Sequence, residues 1–105
     1  MSDQDNKVRI YVTYEGEPTS RFDRDYYVQQ HLPLVLKAWR QYGLESVSAF
    51  FPAIEHAGTV ALCECRFRDD AAMETAFASP ESSDVMADVR RFTNLSPTRA
   101  RALSV

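Results

Sequence analysis

The chain is poor in several things, and each shortage removes a class of function. It has three glycines, none adjacent to another and none in a G-x-G-x-x-G or G-x-x-x-x-G-K-[ST] run, so it lacks a backbone cradle for nucleotide phosphates. No G-x-S-x-G stretch is present to build the nucleophile elbow of a hydrolase. No Lys/Arg run exceeds the pair Arg90-Arg91, and the net charge is −3 with a pI near 5.3, which leaves no electrostatic footprint for nucleic acid. No apolar run approaches the ~20 residues of a membrane span, and no basic-then-apolar start suggests export. Cytoplasmic location is therefore expected, with no nucleic-acid or membrane partner. There are two cysteines, Cys63 and Cys65, and two histidines, His31 and His56. A spacing of two along a strand closes a disulfide poorly, so both thiols are expected to be reduced and half-buried. Neither histidine stands at metal-ligand spacing from them, so no metal and no cofactor are expected.

What is present is an ordinary globular mixture, 45% hydrophobic and 26% charged over 105 residues, enough for one domain. Residues 1–6 are polar and are read as a flexible N-terminus, with 7–105 a single domain. Lys7 to Tyr14 alternates, with Val8, Ile10, Val12 and Tyr14 on one face, and predicts a strand. The longest helical pattern runs from Arg21 to Gly43. At about 100° per residue, Tyr27, Val28, His31, Leu32, Leu34, Val35, Ala38, Trp39 and Tyr42 share one arc of roughly 160°. Asp23 suits its N-cap, Phe22 and Tyr27 the ends of a hydrophobic staple, and Gly43 its C-cap. Pro33 lies inside the pattern and predicts a kink or a break there.

Strands follow at Leu44–Phe51 and Thr59–Phe67, the latter with Ala61, Cys63, Cys65 and Phe67 on one face. Asp69 caps a predicted helix over Asp70–Ala78. Ser79-Pro80-Glu81 restarts a helix that runs to about Phe92 and buries Val85, Met86, Val89 and Phe92. Thr98 to Val105 reads as the last strand. The order β-α-β-β-α-β makes the fold class α+β, a ferredoxin-like split βαβ with a four-stranded antiparallel sheet. Both helical layers then cover one sheet face. The other face carries apolar or small residues as well, and a homodimer through this open face is the expected solution. Arg99 and Arg101, alternating with alanines on the last strand, are read as solvated, or as pairing with Glu64 or a partner's carboxylate.

The segments RFDRDYYVQQHLPLV, AWRQYGL and FRDDAAMETAFASPESSDVMADVRRFTN resemble the EthD family, over about residues 8 to 105. The motifs that carry the likeness are Phe22-Asp23 with Tyr26-Tyr27, His31-Leu32-Pro33-Leu34, Ser79-Pro80-Glu81, Met86-Ala87-Asp88 and Phe92-Thr93. The resemblance implies a dimeric α+β barrel, two ferredoxin-like sheets packed face to face. It also implies a setting beside oxidative or polyketide-like pathways; neighbouring barrel families include cofactor-independent monooxygenases and a lactone isomerase. The sequence departs from the family pattern at Arg90-Arg91, a change expected to bear on the helix end and not on His31.

The site residues follow from where a pocket can form. His31 is an imidazole on an apolar helix face, and Tyr27 stands one turn before it. The two are either structural core residues, with His31 bonded to a freed carbonyl or a Tyr hydroxyl, or the candidate catalytic groups for moving protons beside a carbonyl. Tyr14, Trp39, Phe67, Phe77 and Met86 are the candidate ligand-binding residues, giving an apolar pocket with few polar groups. One nitrogen of His31 is expected to be fixed by Tyr27 or a freed backbone carbonyl, with Asp23 or Asp25 as a candidate for orienting the ring. Two functions fit this pattern. One is a cofactor-free enzyme acting on a hydrophobic carbonyl, lactone or phenolic metabolite. The other is an accessory binding protein for a partner oxygenase.

Overall fold

The computed structural model describes residues 7–103. The expectations for residues 1–6 and for the last two positions of the final strand lie outside them. Four strands form one antiparallel sheet: β1 (Val8–Gly16), β2 (Leu44–Phe50), β3 (Gly58–Phe67) and β4 (Pro97–Ala102), in spatial order β2-β3-β1-β4. That is the ferredoxin-like α+β topology, reached through a helical crossover in each half. β1 is central because its alternation buries Val8, Ile10 and Tyr14 on the helix side. β3 beside it buries Ala61, Cys63, Cys65 and Phe67 on the same side.

The first crossover is α1 (Arg24–Tyr26), a π-helical turn (Tyr27–His31), α2 (Leu32–Trp39) and a 3₁₀ turn (Arg40–Tyr42), in unbroken succession. Asp23 caps it by accepting from the Tyr26 backbone N–H at 3.0 Å, and the Phe22 and Tyr27 rings meet with centroids 5.1 Å apart. Gly43 ends it in the left-handed region at φ 114°, and an added Cβ there would meet that of Ala72. The break expected at Pro33 does not occur. Leu32 keeps helical angles (φ −63°, ψ −41°) and its N–H reaches back five residues to the Tyr27 carbonyl. The wider turn has already shifted the hydrogen-bond register, so Pro33 enters at the start of α2, where a missing donor costs least. A wider turn also advances less per residue than 100°. Val28 accordingly leaves the arc assigned to it and is 45% exposed, while Tyr26 and Leu36 pack against the core.

The second crossover is split. α3 (Asp70–Ala78) is capped by Asp69, which accepts from the Ala72 N–H at 2.8 Å. Ser79 then turns extended (ψ 156°), and α4 (Glu81–Asp88) follows, ending in a 3₁₀ turn (Val89–Arg91). Val85, Val89 and Phe92 are buried as expected, but Met86 is half exposed. The two crossovers are stitched together where the long helix begins. Phe22 bridges Thr93, the Asp23 N–H donates to the Phe92 carbonyl at 2.8 Å, and the Thr93 hydroxyl donates to the Arg21 carbonyl at 2.6 Å. Among the described residues no helix is long and apolar enough to cross a membrane.

Candidate functional site

A cavity of about 270 Å³ lies between the helix-side face of the sheet and α2 and α4. Its deep end is formed by Tyr14, Tyr27, His31 and Cys63, all buried. Its outer end is formed by Met86, Pro97, Phe77 and Arg99, all at least partly exposed. Leu32, Val35, Val85 and Val89 supply the aliphatic wall between them.

His31 is 4% exposed, and its ring is fixed from the second crossover. Nδ1 lies 2.9 Å from Asp88 Oδ2. A carboxylate oxygen there can only accept, so the proton is on Nδ1 and the lone pair is on Nε2. Nε2 has no hydrogen-bond partner among the described residues, and His31 lines the cavity. Burial lowers the imidazole pKa from its ordinary value and outweighs the opposing pull of Asp88, so the ring is neutral at pH 7. The other oxygen of Asp88 accepts from the Tyr26 hydroxyl at 2.8 Å and lies 3.5 Å from Arg91 Nε. Both carboxylate oxygens are therefore occupied, which fixes the plane of the group that orients His31.

The partner of His31 differs from every expected one. Tyr27 stacks on the imidazole instead of bonding to it, with ring centroids 5.7 Å apart and planes 17° from parallel. No backbone carbonyl among the described residues bonds the ring, and Asp23 is engaged as the cap. Asp88 carried a signal that sequence reasoning missed: Val85, Asp88, Val89 and Phe92 recur at i, i+3, i+4 and i+7, which puts a carboxylate on a buried stripe. Arg91 also corrects an expectation, since through Asp88 it does touch the surroundings of His31. At 72% exposure its contribution is small.

The other candidates separate. Tyr14, Tyr27, Trp39, Phe77 and Met86 line the cavity. Phe67 does not; it is fully buried beneath Trp39 and Phe77, with centroids 6.2 and 5.5 Å away, and is core. The Trp39 indole N–H donates to the Ser82 hydroxyl at 3.1 Å, which donates in turn to the Ala76 carbonyl. Burial pushes the phenols of Tyr14 and Tyr27 far above their usual range, so both stay protonated. The cysteines are free, with sulfurs 3.9 Å apart, and fully buried; Cys65 is pushed up by its bond to Cys63 and by burial. Among the described residues no group of three or more His, Cys, Asp or Glu side chains is placed to hold a metal ion.

No sequence-family model matches the chain, and no curated protein matches it in sequence. Its three-dimensional likeness is much clearer. An EthD-like protein from Ralstonia eutropha superposes with a TM-score of 0.81 at 16% identity, covering 93% of this chain and 91% of that one. The fold is that of the EthD-like structures. An ethyl tert-butyl ether (EthD) family protein from Bacillus halodurans gives a TM-score of 0.65 at 19% identity, over 92% of this chain and 99% of that one. SnoaB from Streptomyces nogalater, a cofactor-independent oxygenase, gives 0.67 at 11% identity, over 94% and 93%. The EthD-like fold thus accounts for the whole domain, as the sequence resemblance implied.

Proposed function

We propose that this chain binds a small hydrophobic carbonyl, lactone or phenolic metabolite in the cavity, and that His31 moves a proton on it without a cofactor. The observation that carries the reading is the 2.9 Å bond from His31 Nδ1 to Asp88 in a buried site, with Nε2 left to the cavity. A C–H beside a carbonyl, or a phenolic O–H, gives its proton to Nε2. Asp88 steadies the imidazolium that forms, and the proton returns to another atom of the substrate. A positioned base of this kind contributes about 10²–10⁴-fold. Tyr27, held protonated by burial, acts as the neutral wall under the imidazole. The EthD-like fold is shared with an oxygenase that needs no cofactor, which supports chemistry run by side chains alone. The free cavity thiols suit a reducing cytoplasm.

The test is solvent deuterium exchange at the carbon beside the carbonyl of 2-tetralone, a two-ring ketone, followed by NMR. The wild-type chain is expected to accelerate exchange, and His31→Gln to lose at least about 10² of that acceleration while remaining folded. Asp88→Asn should keep a base but free its tautomer, lowering the rate and moving the pH profile. Exchange at the buffer rate with the ketone bound would leave an accessory binding protein as the surviving function.

We further propose that a second copy covers the open sheet face, making the dimeric α/β barrel. Val60 and Leu62 are only half covered there, Phe50 is 52% exposed, and the buried Nε of Arg66 has no hydrogen-bond partner among the described residues. Such a face suits a stable interface of roughly 1,200–2,000 Å². A monomer in sedimentation equilibrium at micromolar concentration would overturn this.

A further inference from the structure

The side-chain pattern of β4 is the reverse of what a strand under two helices should show. Its register places Pro97, Arg99 and Arg101 opposite Tyr14, Val12 and Ile10, on the helix side, and Ala100 and Ala102 opposite Tyr11 and Arg9, on the open side. Two cations therefore face the layer where the core lies. Pairing with Glu64 is ruled out by the same register, since Glu64 is on the open face and accepts from the Tyr11 hydroxyl at 2.7 Å.

The two arginines are treated differently. Arg101 forms an ion pair with Asp70 at the start of α3. Arg99 has no carboxylate partner among the described residues. Its guanidinium lies 4.1 Å from the centre of the Phe77 ring, and it lines the outer end of the cavity. The cation is held over the Phe77 ring by the π face and by no carboxylate among the described residues, which leaves its N–H donors available to a ligand. A planar fork of donors at the mouth of an apolar cavity matches a carboxylate in geometry and charge.

We propose that Arg99 is an anion subsite and that the natural ligand is a monocarboxylic acid with an apolar body of one or two rings. The carboxylate meets Arg99 beside Met86 and Pro97. The rings lie along Val35, Val85 and Val89. A cavity of about 270 Å³ admits a body of that size. This assignment deepens the function proposed above, because it rests on the same cavity and names the class of molecule that enters it. It makes Arg99 a specificity-determining residue and leaves the proton chemistry to His31.

The experiment is isothermal titration calorimetry of the full chain with 2-naphthoate and with methyl 2-naphthoate. Neither probe carries an acidic C–H, so the result is independent of whether His31 acts as a base. The wild type should bind the acid about fivefold more tightly than the ester, the upper range for a partly exposed ion pair. Raising the salt concentration should narrow that ratio. Arg99→Gln should bring the ratio to one, and Arg99→Lys should restore part of it. Equal affinity for acid and ester in the wild type, or a ratio unchanged in Arg99→Gln, overturns the subsite and leaves the cavity reading intact. Failure of both probes to bind overturns the two together.

Discussion

The two crossovers each contain a proline inside a helical pattern, and the chain answers them in opposite ways. Before Pro80, Ser79 leaves the helix (φ −73°, ψ 156°), as the clash with a following proline ring favours. Its hydroxyl and its backbone N–H both donate to the Ala76 carbonyl, at 2.6 and 3.1 Å, so Ser79 is tied to the last turn of α3 although it has left the helix. Before Pro33, Leu32 stays helical against the same local preference. The difference is what each residue would give up by leaving. Ser79 is polar and carries its own hydrogen bond. Leu32 is 8% exposed and stands between His31 and Val35, both buried, so an extended turn there would pull three side chains out of the core. The π turn is the compromise: it shifts the ladder by one residue, upstream of the proline, and keeps the face. A proline thus ends a helix where packing is indifferent and only widens it where packing is strong.

Four measurements would break or sharpen that comparison. The largest stability effect should come from the end of the first crossover. Gly43→Ala forces a side chain into the left-handed region and against Ala72, and is expected to lower stability by about 2 kcal/mol or more in chemical unfolding. The caps come next. Asp69→Ala and Asp23→Ala should each cost about 1 kcal/mol. Asp23 should also matter to activity, because its turn is stitched to Phe92 and so fixes His31 against Asp88; a purely local role would leave the exchange rate per folded molecule unchanged.

Acid should separate the halves more gently. His31 has its pKa lowered by burial, so the unfolded chain binds a proton more readily than the folded one. Its contribution is intact above the unfolded value near 6.5 and is lost as pH falls from there through the folded value. Unfolding free energies between about pH 7.5 and pH 5 should show that slope in the wild type and a shallower one in His31→Gln. The smallest effect is expected from Pro33→Ala, within about 0.5 kcal/mol, since Pro33 is exposed and its missing donor is already absorbed by the π turn. A large gain in stability would mean that the proline strains α2 after all.

The sequence showed the elements well because each had a periodic face and a marked start or stop. β1 alternates, and Asp23, Gly43 and Asp69 are terminators with a mechanism. The π turn was out of reach, because a 100° wheel assumes the regularity that fails there; Val28 fell on the wrong side for that reason. Of the site, the cavity-facing aromatics were legible as an apolar arc with one imidazole. Asp88 was not, because its role depends on how α4 docks against the π turn, a contact 57 residues away in the chain. Phe67 was misplaced for a related reason: alternation gives a side chain its face, but cannot say whether a cavity or a neighbouring ring lies above it.

Trp39 has a consequence of an optical kind. It is the chain's single tryptophan, it lines the cavity, and its indole is anchored to Ser82. The tryptophan emission of the native protein, excited selectively beyond the tyrosine band, therefore comes from one indole in one environment, set at the wall where a guest molecule would lie. Entry of an aromatic compound should change its intensity or wavelength without any label, and unfolding should shift it to the red. The protein carries its own reporter of whether the cavity is filled.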